Sequence, residues 1–129
     1  MNKFFIIDDE DIFNFLHSEV IHQIDSTSEV IEFTSGVDAI EILKKSIENK
    51  DELPNFIFLD VRMPIMNGFQ FLEEIQKISK EIYSKTKLYM LSSSLDERDV
   101  NKALSFSFVK GFLPKPLTEE NLQSIILQK

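Results

Sequence analysis

The chain has 129 residues, enough for one domain with a real core and too few for two. Apolar residues make up 43% and charged residues 28%, a globular balance, and no apolar run nears the roughly 20 residues of a membrane span. A net charge of −8 without a Lys/Arg cluster argues for protein partners over nucleic acid, and the absence of cysteine excludes disulfides, thiolate metal sites and thiol catalysis.

The first apolar run, Lys3–Ile7, predicts a strand. It ends in acids and is too short for a secretory leader, so a cytoplasmic location is expected. Ile12/Phe13, Leu16, Val20 and Ile24 then recur at steps of three and four, a helical period. His17 and His22 sit in this helix. Two histidines are too few for a zinc site, and both read as helix-surface or boundary residues. Residues 30–33 predict the second strand, and Ala39/Ile40, Leu43 and Ile47 the second helix. A polar loop over 48–54 leads to the third strand at 56–59, and Phe69, Leu72, Ile75 and Ile78/Ser79 mark the third helix.

The fourth strand covers 88–91. A weaker fourth helix follows on Val100, Ala103 and Leu104, capped by Asp96 or by Ser94 with Glu97 in a capping box. Phe106 and Phe108 read as core residues. The fifth strand covers 111–113. Leu122, Ile125 and Ile126 form the last helix, with Thr118 as its cap and Glu119 and Glu120 in its first turn. Strands that are nearly continuous in hydrophobicity are covered on both faces. The alternation therefore predicts an α/β fold, (βα)5, with a doubly wound parallel five-stranded sheet as a single domain over 1–129.

The chemistry collects where strands end. Strand one runs into Asp8-Asp9, and strand three into Asp60. In an open parallel sheet, ligands sit beyond the carboxyl ends of the strands, at the point where the connection direction switches. If strands one and three are neighbours there, three acids share one crevice. Two like charges about 4 Å apart repel by ~4 kcal/mol at an effective dielectric near 20. A hard dication with oxygen ligands relieves this, and Mg2+ fits best because it takes one or two carboxylates plus phosphate oxygens. Lys115-Pro116 follows strand five. An X-Pro bond can be cis at modest cost, and a cis bond in a tight turn can aim the preceding lysine inward toward an anion. Ser92-Ser93 follows strand four, where a hydroxyl can bond an oxyanion. Acids on two strand ends, a hydroxyl on a third and a lysine on a fourth form one constellation.

At these residues the sequence resembles the response-regulator receiver family of two-component signalling. The blocks are Ile6-Ile7-Asp8-Asp9-Glu10, then Leu59-Asp60-Val61-Arg62-Met63-Pro64-Ile65-Met66-Asn67-Gly68, Met90-Leu91-Ser92-Ser93 and Gly111-Phe112-Leu113-Pro114-Lys115-Pro116. The resemblance implies a flavodoxin-like three-layer sandwich with strand order 2-1-3-4-5. It implies Asp60 as phosphoacceptor and Asp9, Asp60 and the Arg62 backbone carbonyl as ligands to Mg2+, which Mn2+ can replace, with Asp8 assisting directly or through water. Lys115, the Ser92 hydroxyl and the Ser93 backbone N–H would bind the phosphoryl group. Ser92 and Phe112 would form the switch that alters the face of the fourth helix, fifth strand and fifth helix. The donor would be a histidine kinase, a phosphotransfer protein or a small acyl phosphate, and the output an unknown downstream protein. Turnover of an external substrate is not expected. The protein would be a monomer or a weak phosphorylation-dependent dimer, with neither membrane nor nucleic acid as partner.

Several positions depart from the common pattern. Phe112 stands where a tyrosine is frequent and lacks a hydroxyl for an outward bond. Pro114 inside strand five requires an edge strand. Arg62 and Ser94, each two residues beyond a site residue, are expected to tune how readily water reaches the phosphoryl group. An aspartate-nucleophile phosphohydrolase would need a second acid at position 62, where Arg62 stands. A degenerate receiver acting only as an interaction module would have lost the acids or the lysine.

Overall fold

The computed structural model describes residues 2–127; Met1, Gln128 and Lys129, included in the expected domain, lie outside the described residues. Five strands, β1 (Lys3–Ile7), β2 (Glu29–Phe33), β3 (Phe56–Asp60), β4 (Lys87–Ser92) and β5 (Val109–Pro114), form one parallel sheet in the order β2-β1-β3-β4-β5. This is the expected order. The interior strands β1, β3 and β4 are buried almost throughout, whereas β2 and β5 carry exposed positions, as edges do. Pro114 closes β5, which among the described residues pairs with β4 alone.

Side chains alternate across the sheet and build two cores. Phe5, Ile7, Ile57, Leu59, Leu88 and Met90 face one side. Phe4, Ile6, Phe56, Phe58, Tyr89 and Leu91 face the other. The first side is covered by α2 (Gly36–Asn49), α3 (Gly68–Ile78), α4 (Lys80–Lys85) and α5 (Glu97–Leu104), through residues such as Leu43, Phe71, Leu72, Ile82 and Ala103. The second is covered by α1 (Asp11–Ile24) and α6 (Glu119–Leu127), through Ile21, Leu122 and Ile125. The result is the expected three-layer sandwich. Among the described residues no helix is long and apolar enough to cross a membrane.

Three local expectations need correction. A separate short helix, α4, follows α3: Ser79 ends α3 in extended backbone and caps α4 by accepting from Glu81 N–H. The helices expected as fourth and fifth are therefore α5 and α6. On α1 the buried face is Asn14, His17, Ser18 and Ile21, while Ile12 and Leu16 are exposed at 58% and 39%. The periodicity was real, but the inward stripe is largely polar, and His17 is wholly buried rather than at the surface or boundary. Of the two caps expected for α5, Asp96 is the one used, by accepting from Arg98 N–H, and the Ser94–Glu97 capping box is not formed. Thr118 accepts from Asn121 N–H in the way expected of a cap. Phe108 is in the core, stacked on Tyr83 at 4.7 Å, and the half-buried Phe106 packs edge-on against it.

Candidate functional site

β1 and β3 are adjacent, so their carboxyl ends bring Asp8, Asp9 and Asp60 together. Each offers an oxygen within 4.8 Å of the others. Asp8 and Asp60 are buried at 2% and 4% exposure, and Asp9 is open to solvent. Their placement is built from the backbone. Asp8 N–H donates to the Phe33 carbonyl at 3.0 Å, which extends the β1–β2 ladder by one bond. Asn14 Nδ2 donates to the carbonyls of Asp8 and Phe33 at 3.0 and 3.1 Å and pins α1 under the pair. Asp8 Oδ1 accepts from Glu10 N–H. The N-cap of α1 is Glu10, whose side chain makes no capping bond. Helix capping therefore does not account for the two acids.

Lys115 enters from the opposite side. The Lys115–Pro116 bond is cis. Lys115 N–H donates to the Ser92 carbonyl at 2.9 Å, and its Nζ lies 2.9 Å from Asp8 Oδ2 and 3.2 Å from Asp60 Oδ1. The ammonium is covered by the ring of Phe13, 4.1 Å from its centroid. A lysine whose side chain is only 3% exposed thus bridges two buried carboxylates.

The electrostatics follow from this packing. Burial, and next the charge of Asp8, push the Asp60 carboxyl up to about 6, against the pull of Lys115. Burial works against the Lys115 ammonium, but its bonds to Asp8 and the charge of Asp60 outweigh that and hold its pKa above the ordinary value. Burial drives the His17 imidazole down to about 4, with Asp8 opposing and Lys115 assisting. The set consists of three hard carboxylate donors with one cation against two of them, an acid-rich cluster that suits Mg2+ or Mn2+ and offers no soft ligand.

The remaining expected residues take distinct positions. Ser92 is buried at the end of β4, where its hydroxyl donates to the Ser94 carbonyl at 2.7 Å and accepts from Ser94 N–H at 3.1 Å. Ser94 thus meets the site through its backbone. Ser93 is exposed. Arg62 follows Asp60 by two residues, but its side chain reaches Asp99 of α5 in a short ion pair. Phe112 is half-buried on β5 and packs against the first core. Sequence reasoning missed Phe13, Asn14 and His17, the three α1 residues that support the pocket from below. The spacing of polar Asn14, His17 and Ser18 at three and four was the available signal.

A family model for the response regulator receiver domain matches residues 4–127. The chain is similar to a two-component response regulator from Cytophaga hutchinsonii, with 32% identity and a TM-score of 0.89 over 96% of this chain and 92% of that one. It is also similar to a response regulator receiver protein from Dyadobacter fermentans, with 28% identity and a TM-score of 0.84 over 96% and 94% of the two chains. Among curated proteins it is 28% identical over 97 residues to the sensor histidine kinase CheAY of Helicobacter pylori, covering 75% of this chain and 11% of that protein. It is 29% identical over 121 residues to the autoinducer 1 sensor kinase/phosphatase LuxN of Vibrio campbellii, covering 94% of this chain and 13% of that protein.

Proposed function

The chain belongs to the response regulator receiver domain family of two-component systems, and from that premise we propose that it accepts a phosphoryl group on Asp60 and acts as a single receiver domain over 1–129. The observation that carries this is the buried Lys115 ammonium bridging Asp8 and Asp60 beside Asp9. Phosphoryl transfer needs in-line positioning and charge neutralisation more than covalent help from the protein. A nucleophilic carboxylate, a fixed cation for the phosphoryl oxygens and a set of oxygen donors for a dication meet that need.

In this reading Asp9, Asp60 and the Arg62 carbonyl would hold Mg2+, or Mn2+ in its place, with Asp8 assisting directly or through water. When bound, the ion neutralises charge on the pocket and on the incoming phosphoryl oxygens. The Asp60 carboxylate attacks phosphorus, the bond to the donor's imidazole nitrogen (or, with an acyl phosphate, to the acyl oxygen of the leaving carboxylate) breaks, and a mixed anhydride forms. Asp60 must be ionised to attack, and Lys115 favours that form while binding a phosphoryl oxygen. The donor is a histidine kinase, a phosphotransfer protein or a small acyl phosphate. Water later attacks the same phosphorus, and Arg62 and Ser94 tune its access.

The new bond brings a charge of about −1.5 to −2 by analogy with other phosphoresidues. The Ser92 hydroxyl then leaves the Ser94 carbonyl for a phosphoryl oxygen, the Ser93 N–H donates to another, and Phe112 packs inward. The α5-β5-α6 face changes its affinity for a downstream protein. A partner must discriminate between the two states for a signal to pass. The protein works in the cytoplasm, as a monomer or a weak phosphorylation-dependent dimer. The test is mass spectrometry after incubation with acetyl phosphate and Mg2+. One added phosphoryl group is expected on the parent protein and none on Asp60→Asn or with a chelator. An unmodified parent would sink the reading.

A further inference from the structure

His17 is an imidazole with no exposure, on the inward face of α1. Its Nε2 accepts a hydrogen bond from Leu117 N–H at 3.1 Å, and this bond is buried. Acceptance there puts the ring proton on Nδ1. Nδ1 itself is buried and has no hydrogen-bond partner among the described residues. A buried donor without an acceptor costs stability, so packing alone does not explain histidine at this position. The ring is held neutral at ordinary pH by burial, which keeps the Nε2 lone pair available.

The bond reaches the site through a short turn. Lys115 N–H is taken by the Ser92 carbonyl at 2.9 Å, which fixes the turn to β4. Pro116 has no N–H to give. Leu117 N–H is the next donor, and His17 takes it. Leu117 is buried at 2% exposure and shares a core with Ile21 and Leu122. The segment that carries Lys115 is therefore tied to the sheet at one end and to α1 at the other. Phe13, one turn before His17 on α1, lies 6.0 Å from the His17 ring and covers the Lys115 ammonium.

We propose that His17 is a positioning residue for phosphoryl transfer: through its Nε2 lone pair it anchors the Leu117 amide, and so sets the height at which Lys115 Nζ stands between Asp8 and Asp60. The inference rests on the phosphoacceptor reading above. It predicts dependence on an acceptor atom at this place rather than on filled volume. Gln at position 17 can present a carbonyl oxygen near the position of Nε2, whereas Leu fills the volume with no acceptor.

The experiment compares parent, His17→Gln, His17→Leu and Asp60→Asn, each as the full chain. Uptake from acetyl phosphate with Mg2+ and the affinity for beryllofluoride are measured. His17→Leu is expected to lose roughly ten- to a hundredfold in uptake rate, the scale of a small misplacement of a reacting group. Its beryllofluoride affinity should fall too, and His17→Gln should restore most of both. Parental behaviour in a folded His17→Leu, or equal loss in Leu and Gln, would overturn the inference while leaving the phosphoacceptor reading intact. A parent that takes no phosphoryl group would overturn both. Should either variant fail to fold, nitrogen-15 NMR of the parent decides. An Nδ1–H tautomer whose resonances move on adding beryllofluoride and Mg2+ supports the role. An Nε2–H tautomer, or resonances that stay put, refutes it.

Discussion

Gly68 leaves the backbone of Asp60 no room for a methyl group: a Cβ built at Gly68 would lie 2.6 Å from the Asp60 carbonyl oxygen and 2.6 Å from Met90 Cε. The glycine that opens α3 donates its N–H to the Val61 carbonyl at 2.9 Å, so α3 begins hard against the end of β3. Met90 Cε is the tip of a flexible side chain and can yield. The Asp60 carbonyl cannot yield without moving the residue that carries the site.

Gly68→Ala is accordingly expected to cost roughly 1–3 kcal/mol in denaturant unfolding, the range for overpacking, and to lower phosphoryl uptake in the folded fraction. Gly36→Ala is the control. There a Cβ meets the Met66 and Phe71 side chains at 3.3 and 3.4 Å, and both can adjust. Equal behaviour of the two variants would contradict the account.

The metal-free protein should carry two opposed pH dependences. Asp60 titrates near 6 when folded against 3.8 ordinarily, so folded protein holds the extra proton in between. Its contribution to stability is full below 3.8 and is lost as pH rises through 6. His17 titrates near 4 when folded against 6.5 ordinarily, so its contribution is full above 6.5 and is lost as pH falls through 4. Each contribution is of order 3 kcal/mol. Relative to parent, Asp60→Asn should gain stability with rising pH over this window and His17→Gln should lose it. Denaturant midpoints in chelator at several pH values measure both; variant curves parallel to the parent's would rule this out.

Lys115→Met leaves Asp8 and Asp60 facing each other with no cation between them. Removing one partner of a buried ion pair typically costs about 3–5 kcal/mol, so this variant should melt well below parent in chelator. Added Mg2+ should return more stability to it than to the parent, and pairing it with Asp60→Asn should recover part of the loss. Thermal melts with and without Mg2+ report this. A variant that melts like the parent in chelator would mean that the bridge is not a structural contact.

Arg62 is held toward α5 by Asp99, with its side chain 70% exposed. Asp99 is more covered, at 13%, but with so exposed a guanidinium the pair should contribute only about 1 kcal/mol to stability. Arg62→Ala and Asp99→Asn should instead change the lifetime of the phosphoryl group in the same direction, with uptake retained. Lifetimes are read from loss of label after the donor is removed, and values equal to the parent's would refute the role.

The fold was legible because two signals are strong here. Interior strands covered on both faces are apolar almost without interruption, and the acids at their carboxyl ends break that pattern. The short helix α4 was not legible, since Ile82 is its single buried residue and one residue makes no period. The orientation of α1 was misread for a physical reason. Its inward face meets the polar ends of β1 and β2 and the turn after β5, so Asn14 and His17 are buried with hydrogen bonds to backbone groups while Ile12 and Phe15 stay outside. Hydrophobic period reports the core side of a helix only where the core is apolar. The acids, Ser92 and Lys115 were found at the pocket because strand ends fix them. Their supports on α1 depend on contacts that only the folded chain supplies.

Lys115 turns its N–H to β4, so the position before it faces the open border of the sheet, and Pro114 puts no donor there. The opposite border is lined by exposed Glu29 and Glu32 of β2. A strand from another molecule would find a missing rung on one side and repelling carboxylates on the other. Self-association by sheet extension into fibrils is thereby discouraged, and concentrated protein should stay dispersed even though its interior strands are rich in phenylalanine.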